Sequence, residues 1–470
     1  MQPPLPSTPP IPVLVEGRDD VERYARPARG DRGGTTIVAR PADVGEVRTL
    51  VRWAVAERVQ LLPQGANSGL VGASVPPSRP PTSPGQAPES GRPLVVVSTE
   101  RLGGIELSAA EGTAVVGAGV RLSQLNDAGA AAGVHLPIDL GSDPAIGGMV
   151  STNTGGSRVL RYGPMRRYVL GVEAVAADAD ATVFGGLRTL RKDSRGVDAA
   201  QLLVGAGGTL GIVTRVALAL APLPESSRTW WLALDDPARG GDLLELCRAG
   251  GELLSAFEFV AGTVLERILR GPGAPANPFG DSIPSAVVLA EWSGREAELD
   301  AAAETAITGA FDTGLLSDAR SVPPTAGWGL RHAINERLRT HGAILGHDVS
   351  CRPADLMVMR AACIEVVARI APDAVVCDFG HAGDGGLHVQ VLFEGDAPSA
   401  ALAADVRRAV YDVVAGFGGS YSAEHGLGPV NAGRWLQETG AIEQAAVRAC
   451  KGAVDPHGVL GHPGHPYNRL

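Results

Sequence analysis

From residue 35 the chain alternates between short, β-branched apolar runs and longer stretches whose apolar positions return every three or four residues. TTIVAR (35–40) reads as a strand. PADVGEVRTLVRWAVAER (41–58) reads as a helix, with Pro41 and Asp43 as start signals. VQLLPQG (59–65), PLVVVST (93–99) and GTAVVGAGV (112–120) read as strands, and RLSQLNDAGAAAG (121–133) as a helix. QLLVGAGGTLGIVTRVALAL (201–220) reads as two strands around a glycine turn. The texture changes near Ala221, where APLPESSRT is a linker by composition, followed by the strand WWLAL and the helix DLLELCRAG. Helix and strand then repeat with fewer glycines. GWGLRHAINERLRTHG (327–342) has helical spacing, and VVCDFGHAGDGGLHVQVLF (375–393) reads as strand, turn and strand. The Pro-rich first dozen residues are expected to fray. The stretch 76–93, dense in Pro, Ser and Gly, is expected to be a mobile surface insertion.

These patterns predict an α+β chain with an extension at 1–34, a glycine-rich domain at 35–222, an α+β domain at 223–420 and a returning segment at 421–470. A length of 470 residues exceeds one compact core. The net charge of −10 disfavours nucleic acid as a partner, because that affinity rests on neutralising phosphates. The five cysteines are widely spaced with no CxxC, which speaks against a cluster or a disulfide framework. With no signal peptide and no membrane span in the pattern, a cytoplasmic protein is expected.

Three loops are rich in glycine and small polar residues: PQGANSGLVGAS (63–74), GSDPAIGGMVSTNTGGS (141–157) and GAGGTLGIVT (205–214). Such loops let successive backbone N–H groups converge on a phosphate-bearing ligand. The third is not a Rossmann fingerprint, because β-branched residues follow it where a helix must open. In order and spacing the three loops resemble the FAD-binding domain of the vanillyl-alcohol oxidase / p-cresol methylhydroxylase superfamily. That resemblance implies FAD, with Pro63, Gly65, Ala66, Asn67, Ser68, Gly69 and Leu70 at its pyrophosphate. Ser142, Gly147, Gly148, Asn153, Gly211 and Ile212 would lie along the remainder. Relatives that tether FAD use a His or Cys in these loops; 63–74 and 141–157 contain neither, so non-covalent FAD is expected.

The second half carries HAGDGGLH (381–388) and SAEHGLG (422–428). Two histidines and a carboxylate form a common divalent-metal set with open positions for substrate. After such an FAD domain these motifs resemble the D-2-hydroxyglutarate / D-lactate dehydrogenase branch of the superfamily. The resemblance implies His381, His388 and Glu424 as metal ligands, Zn²⁺ being suited to the role, and His425 as general base. It implies Arg331 as the grip on the substrate carboxylate, with Asn335 where relatives often carry Thr. Relatives place a Lys near Gly346; here His347 is the neighbour expected to substitute. Gly207 stands where relatives carry Glu, Gly386 where they carry Asn, and GHPGH replaces an NPGK ending.

The implied activity is oxidation of a D-2-hydroxy acid, D-2-hydroxyglutarate favoured, with hydride to the flavin. An electron-transfer flavoprotein or a quinone would take the electrons, and a homodimer is expected by analogy. D-lactate or another monocarboxylate is the alternative substrate. A silent FAD-binding protein and a flavin-free metal hydrolase are the rival classes, the latter leaving the glycine loops unexplained.

Overall fold

The computed structural model describes residues 4–28, 32–34, 36–77 and 92–470. Most of the stretch expected to be a surface insertion therefore lies outside the described residues. The chain forms two compact units. One takes Met1–Thr154, Pro164–Leu223 and Glu424–Leu470; the other takes Gly155–Gly163 and Pro224–Ala423. No helix among the described residues is long and apolar enough to cross a membrane.

The first unit holds a four-stranded sheet in the order Val13–Val15, Ile37–Ala39, Leu94–Ser98, Gln60–Gln64. Its last three strands run parallel. A five-stranded antiparallel sheet follows, in the order Ile105–Ser108, Thr113–Gly117, Ile212–Ala219, Val169–Val175, Val183–Gly185. The helix Val44–Glu57 starts where Asp43 accepts the N–H of Glu46 and ends at Arg58, left-handed at φ 55°. Such a cap contributes about 1 kcal/mol. Val47, Leu50, Val51 and Ala54 form its buried stripe.

Two expectations are corrected in this unit. The N-terminal residues from Pro4 onward are held in place: Trp53 Nε1 donates to Ser7 Oγ at 2.8 Å, Ser7 donates to Glu57 at 2.9 Å, and Ile11 is buried. Trp53 and Glu57 lie one turn apart and present a donor and an acceptor to one serine. The segment before the third glycine loop is the helix Ala199–Leu203, not a strand. Asp198 caps it by accepting the N–H of Ala200, and Ala, Gln and Leu favour helix once a cap is available. A strand, Ile212–Ala219, does follow the loop.

The second unit is built on a seven-stranded antiparallel sheet. Its order is Leu316–Val322, Ser226–Leu234, Ala286–Gly294, Leu254–Ala261, Val375–Gly380, Gly386–Phe393, Ala343–Ser350. The presumed linker is thus largely strand: Ala221–Pro222 pairs with Val134–His135, and Ser226 already opens an interior strand. Composition hid this because Pro224 and the serines look like loop text, whereas two neighbouring strands satisfy the backbone.

Directly opposed residues of an antiparallel ladder point to the same face. Val260 faces Phe379, Phe379 faces His388, and His388 faces Asp348. Glu258, two residues before Val260, shares that face. His347, Val389 and Asp378 belong to the other. The helix Pro324–Leu338 covers the first face: Gly327 lies against Thr229 and Leu289, with no room for a side chain between them.

Candidate active site

The three glycine loops, far apart in sequence, meet in the first unit. A Cβ on Gly65 would sit 3.2 Å from Ala145 Cβ and 3.7 Å from Gly148 Cα, so the first two loops touch backbone to backbone. A Cβ on Gly208 would meet the Pro63 ring at 3.3 Å. The N–H groups of Gly205 and Gly207 donate to Val150 and Ser151 at 2.9 and 2.8 Å, joining the third loop to the second. Gly69 and Gly148 have nothing within 4 Å of an added Cβ, which leaves open space at the first two loops. Ala66, Ser68 and Leu70 are half-buried, and Ser142 is exposed.

Asn67 and Asn153 are both left-handed, at φ 56° and 51°. The Asn67 amide donates to the carbonyls of Arg23 and Arg26, at 3.1 and 2.8 Å, and its oxygen accepts from Ser74. Asn153 accepts the N–H of Arg166 at 3.0 Å. Both side chains shape the loops, leaving backbone for a ligand. Gly147, Gly211 and Ile212 are buried, and Gly147 is pressed against Ala118.

In the second unit the shared sheet face gathers polar groups that sequence spacing alone does not. Arg331 Nε donates to Glu258 Oε2 at 2.7 Å, and the guanidinium lies over the Phe379 ring, 4.8 Å from its centroid. His381 Nδ1 is 2.6 Å from Glu258 Oε1. The His381 and His388 rings are 5.3 Å apart, edge to face. His388 Nδ1 lies 3.6 Å from Asp348 Oδ1. Burial pushes the Glu258 carboxyl up, but the charges of His381 and Arg331 outweigh it and hold the group below the usual carboxylate range. Two imidazoles and a carboxylate on one face are residue types that can hold a divalent cation.

The structure places the remaining expected contacts differently. Asn335 is exposed on the helix that carries Arg331. His347, expected at the substrate, is buried. Strand alternation turns it to the opposite face, where it is 1% exposed, bonds the Val389 carbonyl through Nδ1 at 3.0 Å and packs edge-on against Tyr411. Asp348 and Glu258 were missed by motif reading. The signal for Glu258 was a lone acid inside the apolar strand LSAFEFVA, where a buried charge demands partners.

After the helix Ala400–Gly416 the chain passes from the second unit to the first. Ser420 pairs with Ser350, and the Ala423 N–H donates to the Asp348 carbonyl at 3.3 Å. Glu424 and His425, both half-buried, come next. Within the first unit, Gly426 lies against Thr152 of the second loop, with 3.6 Å between an added Cβ and Thr152 Cβ. Gly428 is pressed onto the Val71 carbonyl of the first loop.

Residues 35–185 match the family model described as FAD binding domain, and residues 223–464 match FAD linked oxidases, C-terminal domain. The chain belongs to the FAD-linked oxidase family. It is 34% identical over 453 residues to the mitochondrial D-2-hydroxyglutarate dehydrogenase of Bos taurus, covering 93% of this chain and 77% of that one. It is also 34% identical over 457 residues to the D-2-hydroxyglutarate dehydrogenase of Xanthomonas citri pv. viticola, covering 95% and 92%. The fold is similar to p-cresol methylhydroxylase with a TM-score of 0.70 at 17% identity, covering 95% of this chain and 92% of that structure.

Membership makes this an FAD-linked oxidoreductase, and the touching backbones of the three loops with open space at Gly69 and Gly148 fit an extended dinucleotide. Two departures from the family pattern prove to be one contact. Gly207 has φ 60°, and a Cβ there would lie 2.6 Å from His465 Nε2. Buried His465 thus occupies the space that a side chain at 207 would need. Gly207→Ala is expected to destabilise the chain by about 1–3 kcal/mol through overpacking, with weaker flavin retention. Adding His465→Ala should return part of the loss. Thermal unfolding followed by flavin fluorescence checks both, and an unchanged single variant would refute the contact.

Proposed function

We propose that this oxidase removes hydride from C2 of a D-2-hydroxy acid, with D-2-hydroxyglutarate the favoured substrate. The observation that carries the reading is the sheet face on which Arg331, His381 and His388 are assembled. The dehydrogenase relatives support the substrate class. Arg331 spends Nε on Glu258 and keeps its Nη edge for the C1 carboxylate, a bidentate task for which a guanidinium is shaped. His381, His388 and Glu424 would hold a divalent ion, Zn²⁺ being a match to two imidazoles and a carboxylate. Asp348 stands beside His388, its Oδ1 3.6 Å from Nδ1. Such an ion would supply Lewis acidity at the substrate hydroxyl, and a flavin held by the glycine loops would supply the hydride acceptor. His425 takes the hydroxyl proton.

FAD is held without a covalent bond, since the first two loops lack His and Cys. All five cysteines are free thiols, which supports a cytoplasmic setting. The electrons pass to an electron-transfer flavoprotein or a quinone, and a homodimer is the proposed assembly. One observation favours a monocarboxylate instead. No lysine stands near Gly346 in the sequence, and His347 is buried on the other face of the sheet, so a lysine grip on a second carboxylate is missing there.

An anaerobic titration of the yellow protein decides the matter. The D isomers of 2-hydroxyglutarate, lactate and malate are added beside their L isomers. Bleaching of the flavin band by D-2-hydroxyglutarate is expected. Bleaching by D-lactate alone selects the monocarboxylate, and no bleaching by any 2-hydroxy acid overturns the reaction class. Metal analysis should count about one ion per chain, and dialysis against a chelator should abolish bleaching while FAD stays bound.

A further inference from the structure

Glu258 has no place in the reaction just described, yet both of its oxygens are committed to groups that do. It is fully buried on the strand Leu254–Ala261. One oxygen takes Arg331 Nε and the other takes His381 Nδ1, at 2.7 and 2.6 Å. A buried acid in a largely apolar strand is costly, and a fold needing only stability is served as well by an apolar residue. What the acid supplies is orientation of two groups with different tasks.

The chemistry of each bond says what is oriented. An ionised carboxylate only accepts, so the His381 proton must sit on Nδ1. That leaves Nε2 bare, the form in which an imidazole coordinates a cation. Arg331 is held by Nε, so its terminal nitrogens stay available, and the Phe379 ring beneath the guanidinium fixes its plane. We propose that Glu258 is the positioning residue of this site, setting the His381 tautomer through one oxygen and aiming the Arg331 fork through the other. The inference rests on the functional reading above for its consequences in turnover, but not for its geometry.

A glutamine in this place has one accepting oxygen and one donating nitrogen, and so cannot serve two donors. If its nitrogen meets His381, the ring proton moves to Nε2 and blocks coordination. If its nitrogen meets Arg331, the fork is released. Both arrangements weaken the site without changing its volume.

The test compares wild type, Glu258→Gln and Glu258→Asp as full-length holo-flavoproteins. In metal-free, ¹⁵N-histidine-labelled protein, with His381 assigned from the spectrum of His381→Asn, wild type is expected to show protonated Nδ1 and bare Nε2. Glu258→Gln should lose that tautomer, bind Zn²⁺ roughly 10- to 100-fold more weakly and raise KM for the 2-hydroxy acid. Glu258→Asp, one methylene shorter but still doubly accepting, should restore part of both. If Glu258→Gln keeps the tautomer, the Zn²⁺ affinity and KM, the proposal is overturned. If Glu258→Gln fails to fold, the wild-type and Glu258→Asp spectra decide: a wild-type His381 protonated on Nε2 overturns the proposal. If wild type oxidises no 2-hydroxy acid, the functional reading fails, while the tautomer measurement still reports on Glu258.

Discussion

His425→Ala is expected to lower kcat roughly 10²- to 10⁴-fold, the usual contribution of a positioned general base, while the protein stays yellow and folded. The expectation follows from where the chain holds this residue. Gly426, directly after it, is left-handed at φ 76° and packs on Thr152 of the second glycine loop. Ala423, two residues before it, is bonded to the strand that carries Asp348. An imidazole so placed has a fixed backbone on both sides and a half-buried side chain. Removing it leaves the loops and the sheet face intact, so flavin content and metal content should match wild type. Glu424→Ala, its neighbour, should instead lose the metal. The check is steady-state turnover with an artificial electron acceptor, alongside flavin absorbance and metal analysis. Retention of more than a tenth of the wild-type kcat with full flavin would remove His425 from the reaction. Added imidazole should recover part of the rate in His425→Ala and none in Glu424→Ala.

The contrast between these neighbours marks where the sequence is informative. SAEHGLG and HAGDGGLH are dense enough that residue types and order point to a site before any fold is known. The long helix at 44–57 was legible because Asp43 caps it and four apolar residues form one stripe. The hairpin around 381–388 was legible because two β-branched runs flank a glycine-rich turn. The helix Ala199–Leu203 was not, since five residues of mostly apolar text carry no period. Asp348 and Glu258 belong to no motif. They join the site because strand pairing sets Asp348 opposite His388 and puts Glu258 on the face of Phe379. Register is a property of the whole sheet, so a one-residue slip would have exchanged Asp348 for His347. Gly207 and His465 likewise looked like two unrelated departures until the tail was laid against the third loop.

That tail sets up the second large effect, a loss of stability in mild acid. His462 and His465 are buried in the first unit, at 5% and 0% exposure. Each accepts a backbone N–H on Nδ1, His462 from Gly464 at 2.9 Å and His465 from Tyr467 at 3.3 Å. Burial is the main reason His462 is pushed down to about 4, with the Arg469 charge adding to it. Burial likewise pushes His465 down to about 3, helped by His462 and Lys451. The carbonyls of Val75 and Leu427 act the other way without offsetting this. Both rings are therefore neutral in the fold and remain so well below pH 6.5, while the unfolded chain protonates them near 6.5. The unfolded state then binds two more protons, so stability falls as pH falls, by about 2.7 kcal/mol per pH unit once both unfolded-state rings are charged. The loss begins near pH 6.5 and ends only as the folded rings titrate, near 4 for His462 and near 3 for His465. By pH 4.5 it amounts to roughly 5 kcal/mol, comparable to the whole stability of many domains. Because Gly464 packs on Pro429 and His465 fills the space beside Gly207, the flavin loops should loosen with the tail. Free flavin fluorescence is expected to rise, and the unfolding midpoint to drop, between pH 6 and 4.5. An asparagine oxygen can replace Nδ1 as acceptor but does not titrate. His462→Asn/His465→Asn should therefore flatten the slope by about two protons while costing some stability at pH 7. An unchanged slope in that double variant would assign the acid lability to other groups.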